Sequence, residues 1–466
     1  MTVPLDTLLS HIDANLDASR ARLFDWLRIP SVSAQPQHAQ DCRRAAEWLR
    51  DQLAGLGFRA EIRPTAGHPC VVAHHDGPGT GKAPHLLYYG HYDVQPPDPL
   101  DLWASPPFEP ALVEGPHGPR IRARGAVDDK GQVMTWLEAL RAHHALTGTI
   151  PVRATVLVEG EEEVGSPNLD AFLEQHRDDL RADVAVISDT GMWDIATPAV
   201  TTRLRGLVYV QIDLRAASRD LHSGLYGGSA LNPINLLTRI LGELKDAEGR
   251  IQLPGFYEGV TELPAEQRRE WEALGFDEAA FLGEIGLSVP AGERGRAALE
   301  RLWARPTADI NGIWGGYTGP GSKTVIPAEA HAKLSFRLVP GQDPQRVLAG
   351  LRVFLDARLP ADAKAEIQVF GASPAIEVPA ESRWVRAARA ALAEEYGRPA
   401  VLMGSGGSIP VVESMRRILG LESLLMGFGL NDDQVHSPNE KFELRCLHQG
   451  IRSHARLLAA LGGGAA

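Results

Sequence analysis

At 466 residues the chain is longer than one hydrophobic core organises, so two domains are expected. Its 47 basic and 59 acidic residues leave a formal charge of −12, which argues against nucleic acid or an anionic membrane as the main partner. No apolar run reaches the roughly 18 residues of a spanning helix, and the first residues lack a basic-then-apolar leader pattern. Cys42, Cys70 and Cys446 are odd in number and widely spaced, so the expectation is a cytoplasmic protein with reduced thiols.

In chain order, Leu8, Leu9, Ile12 and Leu16 recur at helical spacing and predict an amphipathic helix over 8–27. A second helix is predicted over 42–56, with Gly57 as its stop. Strand-like runs follow at 71–75, 86–89, 154–158 and 184–188, with helical stretches at 132–146 and 169–180. This alternation reads as an open α/β sheet with helices on both faces. The rhythm then changes to a strand at 207–215, a helix at 233–244, a strand at 330–339, a helix at 344–359 and a strand at 365–370. That order predicts an α+β unit, 204–375, inserted into a larger domain made of 1–203 and 376–466.

Potential metal ligands concentrate where predicted strands end, the place where open α/β sheets bind ligands. His91 closes the 86–89 run, and Asp93, two residues on, can accept its second ring N–H and fix the tautomer. Asp128 and Asp129 precede a predicted helix, Glu161, Glu162 and Glu163 follow the 154–158 run, and Asp189 follows the 184–188 run. Taken singly, such acids are commonly helix caps or first-turn residues set against the helix dipole. A lone histidine such as His91 is more often a hydrogen-bonded residue than a ligand. Three adjacent glutamates, however, repel one another without a cation or solvent to compensate them. The whole constellation, with the late His436, points to a metal centre.

The segments Gly90-His91-Tyr92-Asp93-Val94-Gln95-Pro96, Gly125-Ala126-Val127-Asp128-Asp129-Lys130-Gly131 and Glu161-Glu162-Glu163-Val164-Gly165-Ser166 resemble one metallopeptidase family. Its members include carnosinase-type dipeptidases, acetylornithine deacetylase, succinyl-diaminopimelate desuccinylase and aminoacylase. Asp220-Leu221-His222-Ser223-Gly224, Lys323-Thr324-Val325-Ile326-Pro327, Ser335-Phe336-Arg337-Leu338-Val339-Pro340 and His436-Ser437-Pro438-Asn439-Glu440-Lys441 match in the same order. The resemblance therefore covers nearly the whole chain, and it is closest to the dipeptidase branch. It implies a zinc-peptidase-like catalytic domain with an open mixed sheet, and an inserted α+β lid and dimerisation domain.

The resemblance also implies two divalent metal ions per subunit, zinc first, with manganese or cobalt as alternatives. His91, Asp128 and Asp189 are assigned to one ion, and Asp128, Glu163 and His436 to the other. Glu162 is implied as the general base acting on a bridging water, Asp93 as the catalytic partner of His91, and His222 as an oxyanion stabiliser. Arg337 is implied as the bidentate partner of a substrate carboxylate, joined in substrate binding by Thr324, Ser408 and Asn311. A cis peptide between Asp128 and Asp129 belongs to the same pattern. So does a homodimer in which the histidine at 222 reaches the partner's metal site.

The implied activity is hydrolysis of an amide bond in a dipeptide or short peptide with a free carboxylate. An N-acyl-amino-acid deacylase is the alternative built on the same site. A non-catalytic binding protein is expected to have lost a ligand or the base, and all six residues are present here. Two departures bear on substrate. Ser405 stands where dipeptidase-branch relatives carry a glutamate before Gly406-Gly407-Ser408-Ile409-Pro410, and Asp189 resembles aminopeptidase and dipeptidase members more than carboxypeptidase members.

Overall fold

The computed structural model describes residues 3–79, 83–407 and 409–463. The chain separates into two compact units, one of Met1–Thr202, Val378–Met403 and Pro410–Ala466, the other of Arg203–Glu377 and Gly404–Ile409.

The first unit is built on a mixed sheet ordered through Arg59–Arg63, Cys70–His75, Arg153–Glu159, His85–His91, Val184–Ile187, Ser423–Leu425 and Ala199–Leu204. His85–His91 runs parallel to both of its neighbours, and Ser423–Leu425 runs parallel to Val184–Ile187. These central strands are buried on both faces, which is why they read as unbroken apolar runs without alternation. Cys70–His75 is antiparallel to the strands on either side. The helix Lys130–Thr147 is buried along most of its length, and Leu444–Gly462 packs against it. The Trp136 ring of the former stacks on Tyr88 of the sheet at 5.0 Å between centroids.

Two predicted helices differ from those observed. The 8–27 helix is two, Leu5–Ala14 and Leu16–Leu27. Between them the Asn15 side chain donates to the His11 carbonyl at 2.7 Å, meeting one acceptor that the helix end would otherwise leave open. The 169–180 helix stops at Gln175, after which the N–H groups of Asp179 and Leu180 both turn back onto the His176 carbonyl. The second predicted helix is Ala39–Ala54, and Gly57 beyond it has φ 82°.

The second unit holds a four-stranded antiparallel sheet ordered Thr307–Gly315, Glu329–Leu338, Gly206–Arg215 and Lys364–Ser373. Gly206–Arg215 and Glu329–Leu338 alternate strictly, and their inward residues, Val210, Ile212, Leu334 and Phe336 among them, form one core with the helices Pro233–Gly242 and Pro344–Asp356. Each helix begins with proline behind an N-cap whose side chain accepts a first-turn N–H, Asn232 in one and Asp343 in the other. The edge strand Thr307–Gly315 escaped prediction because it is largely exposed and its register breaks between Ile310 and Gly312. Among the described residues no helix is long and apolar enough to cross a membrane.

Candidate metal centre

The candidate metal ligands of the first unit come from the carboxyl ends of its parallel strands and from two loops. His91 is the last residue of its strand, and Asp189 lies two residues beyond Val184–Ile187. Glu162 and Glu163 sit in the single turn Glu162–Val164 that follows Arg153–Glu159. Asp128 precedes the helix Lys130–Thr147, and its peptide bond to Asp129 is cis. His436 lies in the loop before Lys441–Glu443, with φ 62°. At Gly90 a Cβ would lie 2.5 Å from Val133 and 2.7 Å from the Asp129 carboxylate, so only glycine fits beside the site.

These side chains converge on Asp128. His91 Nε2 is 3.1 Å from Asp128 Oδ1 and 4.0 Å from Asp189 Oδ2. His436 Nε2 is 3.0 Å from Asp128 Oδ2 and 3.2 Å from Glu163 Oε2. Each oxygen of Asp128 thus faces a different imidazole. Potential ligand atoms of His91, Asp128 and Glu163 all lie within 4.8 Å of one another.

The donor chemistry fits a cation. His91 Nδ1 faces the Asp93 carbonyl at 3.1 Å and the Asp93 carboxylate at 3.3 Å, so the N–H belongs on Nδ1 and the lone pair on Nε2. The backbone carbonyl, rather than the carboxylate expected from sequence, is the nearer acceptor. Nε2 is buried without a well-formed hydrogen bond, so its lone pair meets a carboxylate oxygen unless a positive charge lies between them. The electrostatics carry the same message. Burial opposes protonation of His91, yet Asp128 and Asp93 draw it well above its ordinary range. Hydrogen bonds to Asp128 and Glu163 lift His436 up to about 10. Burial would raise Asp128, but the two imidazoles hold it below the usual carboxylate range. Burial first, then Asp128, pushes Asp189 up to about 7, and burial pushes Glu162 up to about 7 against the pull of His91. Divalent cations would supply the positive charge that the cluster otherwise takes from protons.

Asp93 also organises the glutamate turn. Its carboxylate accepts the backbone N–H groups of Glu162 and Glu163 at 3.2 and 3.1 Å and the Ser33 hydroxyl at 2.6 Å. Gln95 Nε2 donates to Glu163 Oε2 at 2.8 Å.

Several buried residues around the centre were not given a role from sequence. Glu440 accepts four donors from the segment carrying Asp128. Gln132 donates to the Thr190 carbonyl at 2.9 Å and accepts the Phe428 N–H at 2.7 Å, fixing the turn after Asp189. Lys441 gathers Asp433, Asp432 and Glu443 at 2.6, 3.0 and 3.1 Å in the loop that bears His436. The only sequence signal for Glu440 and Lys441 was their place in the His436–Lys441 motif.

The remaining predicted site residues belong to the second unit. His222 pairs with Val325, and the Ser223 N–H bonds to the Thr324 carbonyl at 3.0 Å, so His222 and Thr324 share one exposed ribbon. Arg337 is half-buried on Glu329–Leu338, opposite Thr307 and Leu207. Burial lowers Arg337, and burial together with Arg337 brings Arg205 down to about 10, with Asp309 opposing both shifts. Asn311 is exposed at the register break of the edge strand. Ser408 lies outside the described residues. Ser405 accepts the Gly407 N–H on its hydroxyl at 3.1 Å.

The profile of peptidase family M20/M25/M40 matches residues 87–460. The chain is 30% identical to the Cys-Gly metallodipeptidase of Schizosaccharomyces pombe, across 97% of each protein. It is 29% identical to the Beta-Ala-His dipeptidase of Rattus norvegicus, across 98% of this chain and 95% of that protein. Among solved structures, the M20 family metallo-carboxypeptidase Sso-CP2 from Sulfolobus solfataricus is similar with a TM-score of 0.83 and 32% identity, over 95% of this chain and 99% of that one. Human carnosine dipeptidase 1 is similar with a TM-score of 0.80 and 28% identity, over 99% of this chain and 100% of that one.

Proposed function

The chain belongs to peptidase family M20/M25/M40 and is a metallopeptidase, and on that premise we propose that it hydrolyses the amide bond of dipeptides or short peptides with a free carboxylate. The observation that supports this reading is the pair of imidazoles on Asp128, His91 at one carboxylate oxygen and His436 at the other, with Asp189 4.0 Å from His91 and Glu163 3.2 Å from His436. Two divalent ions, zinc first, held by these five residues would polarise the scissile carbonyl and acidify a water. Glu162 would accept a proton from the attacking water and return it to the leaving amine, and Asp93 holds the turn that carries Glu162. Arg337 binds the substrate carboxylate with its planar fork, assisted by Thr324, Asn311 and Ser408.

The choice of dipeptide over N-acyl amino acid rests on the curated relatives, the Cys-Gly and Beta-Ala-His dipeptidases, matched along nearly their full lengths. The second unit serves as lid and dimerisation domain, and His222 of the partner subunit stabilises the oxyanion. The open edge strand Thr307–Gly315 supports pairing, since Ile310, Ile313 and Trp314 on it are 47%, 49% and 42% exposed. Three free, buried cysteines support a reducing cytoplasm. A panel of dipeptides and N-acetylated amino acids, assayed with zinc, manganese or cobalt, tests the reading. Metal-dependent cleavage of dipeptides is expected, and cleavage of the acetylated compounds alone would overturn it.

A further inference from the structure

We propose that Glu440 is a positioning residue that sets the place of the shared ligand Asp128 and thereby the affinity of the metal centre. The proposal rests on the reading of Asp128 as a metal ligand and adds what holds that ligand in register.

Glu440 is fully buried, and both of its oxygens are used twice. Oε2 accepts Arg124 Nη1 at 2.8 Å and the Gly125 N–H at 2.9 Å. Oε1 accepts the N–H groups of Val127 at 2.9 Å and of Asp128 at 3.1 Å. The Glu440 carbonyl also takes the Ala123 N–H at 3.1 Å. The segment 123–129 is neither helix nor strand, so this one carboxylate does for its backbone donors what a ladder does elsewhere. Arg124 is itself 1% exposed, donates to the Pro96 carbonyl at 3.3 Å and lies over the Trp103 ring.

Glu440 stands four residues after His436. The same short segment therefore grips Asp128 from two sides, His436 at its carboxylate and Glu440 at its amide. A carboxylate that must serve two donor sets tolerates little displacement, because moving toward one set is moving away from the other. The Asp128 side chain has few torsions with which to correct an error, so the register of its backbone decides the fit. Replacing Glu440 by glutamine removes the charge opposite a buried guanidinium and turns an amide NH₂ toward N–H groups that need an acceptor.

The test is calorimetric titration of the chelator-stripped full chain with Zn²⁺ and, separately, Co²⁺, for wild type, Glu440→Gln and Asp128→Asn. Glu440→Gln is expected to weaken metal binding by about 10–100-fold, to alter the cobalt absorption spectrum, and to regain turnover in excess metal with KM unchanged. Wild-type metal affinity in Glu440→Gln alongside a deficit in Asp128→Asn would overturn the role of Glu440 alone. Wild-type affinity in Asp128→Asn would instead overturn the reading of Asp128. Should Glu440→Gln fail to fold, Glu440→Asp decides, since it keeps the charge but withdraws the acceptor by one carbon. A smaller loss of metal affinity supports the proposal and an unchanged affinity overturns it.

Discussion

The Asp93 carboxylate accepts the backbone N–H of Glu162 at 3.2 Å, so the residue two positions after His91 also holds the acid that precedes Glu163. Glu162 is thereby held by its backbone, and its side chain is proposed as the proton carrier. Glu162→Gln is expected to retain metal and fold and to lose about 10²–10⁴-fold in turnover. Metal analysis beside kcat checks this, since loss of metal would make Glu162 a ligand.

Arg337 is proposed to bind substrate rather than to take part in the chemistry. Arg337→Lys keeps the charge but not the two-pronged geometry, so KM for a dipeptide should rise well before kcat falls. A variant with unchanged KM would place the carboxylate elsewhere.

Without a cation, Asp128 and Glu163 have only protons on His91 and His436 to compensate them. Activity should vanish with a chelator and return with zinc, manganese or cobalt. Melting temperature should follow, since a ligand at 100 times its Kd adds about 2.7 kcal/mol to the folded state. A melting temperature indifferent to chelation would deny a bound ion.

The proposed exchange of His222 between subunits is open to a mixing experiment with Glu162→Ala and His222→Ala proteins. In a hybrid dimer one site carries both defects and the other neither, so random re-pairing restores about a quarter of all sites. Activity that stays at the parental level despite proven hybrid formation would assign His222 to its own chain.

Acid stability has a source outside the metal centre. His454 is fully buried, packed edge-on against Tyr88 and Phe428 and bonded to the Ser188 hydroxyl at 3.1 Å. Burial lowers it from 6.5 to about 3. The unfolded chain therefore binds a proton that the folded chain refuses, and the stabilisation, complete above 6.5, is lost as pH falls toward about 3. His454→Gln should flatten the decline of melting temperature in that window, and an unchanged slope would count against it.

What the sequence showed followed from burial and from chemical type. The strands predicted at 86–89 and 184–188 were legible because both faces are covered, so 86–89 and 184–187 carry only apolar or aromatic residues. The candidate cluster was legible because histidine and several acids follow successive predicted strands, while the assignment of residues to ions came from the resemblance alone. Thr307–Gly315 was not, since an exposed edge strand with a register break shows no alternation. Nor was the break at Asn15, which depends on one side chain reaching back to a carbonyl. The roles of Glu440, seen only as a member of its motif, and of Gln132 were hidden for a different reason. Their roles come from burial among distant backbone groups, and a single polar letter does not announce that it is buried.

The strand Ser423–Leu425 lies between Val184–Ile187 and Ala199–Leu204, although more than two hundred residues separate it from either in the chain. A ribosome therefore delivers both walls of that slot, and then the whole of 203–377 with a hydrophobic core of its own, before the piece that fills it. Until then the half-built sheet exposes two unsatisfied strand edges to the cell. His436 and Glu440 emerge later still, so the imidazole at the Asp128 carboxylate and the carboxylate at its amide arrive together. A nascent chain stalled before residue 423 should thus be protease-resistant in its insert, incapable of holding metal, and a natural client for chaperones.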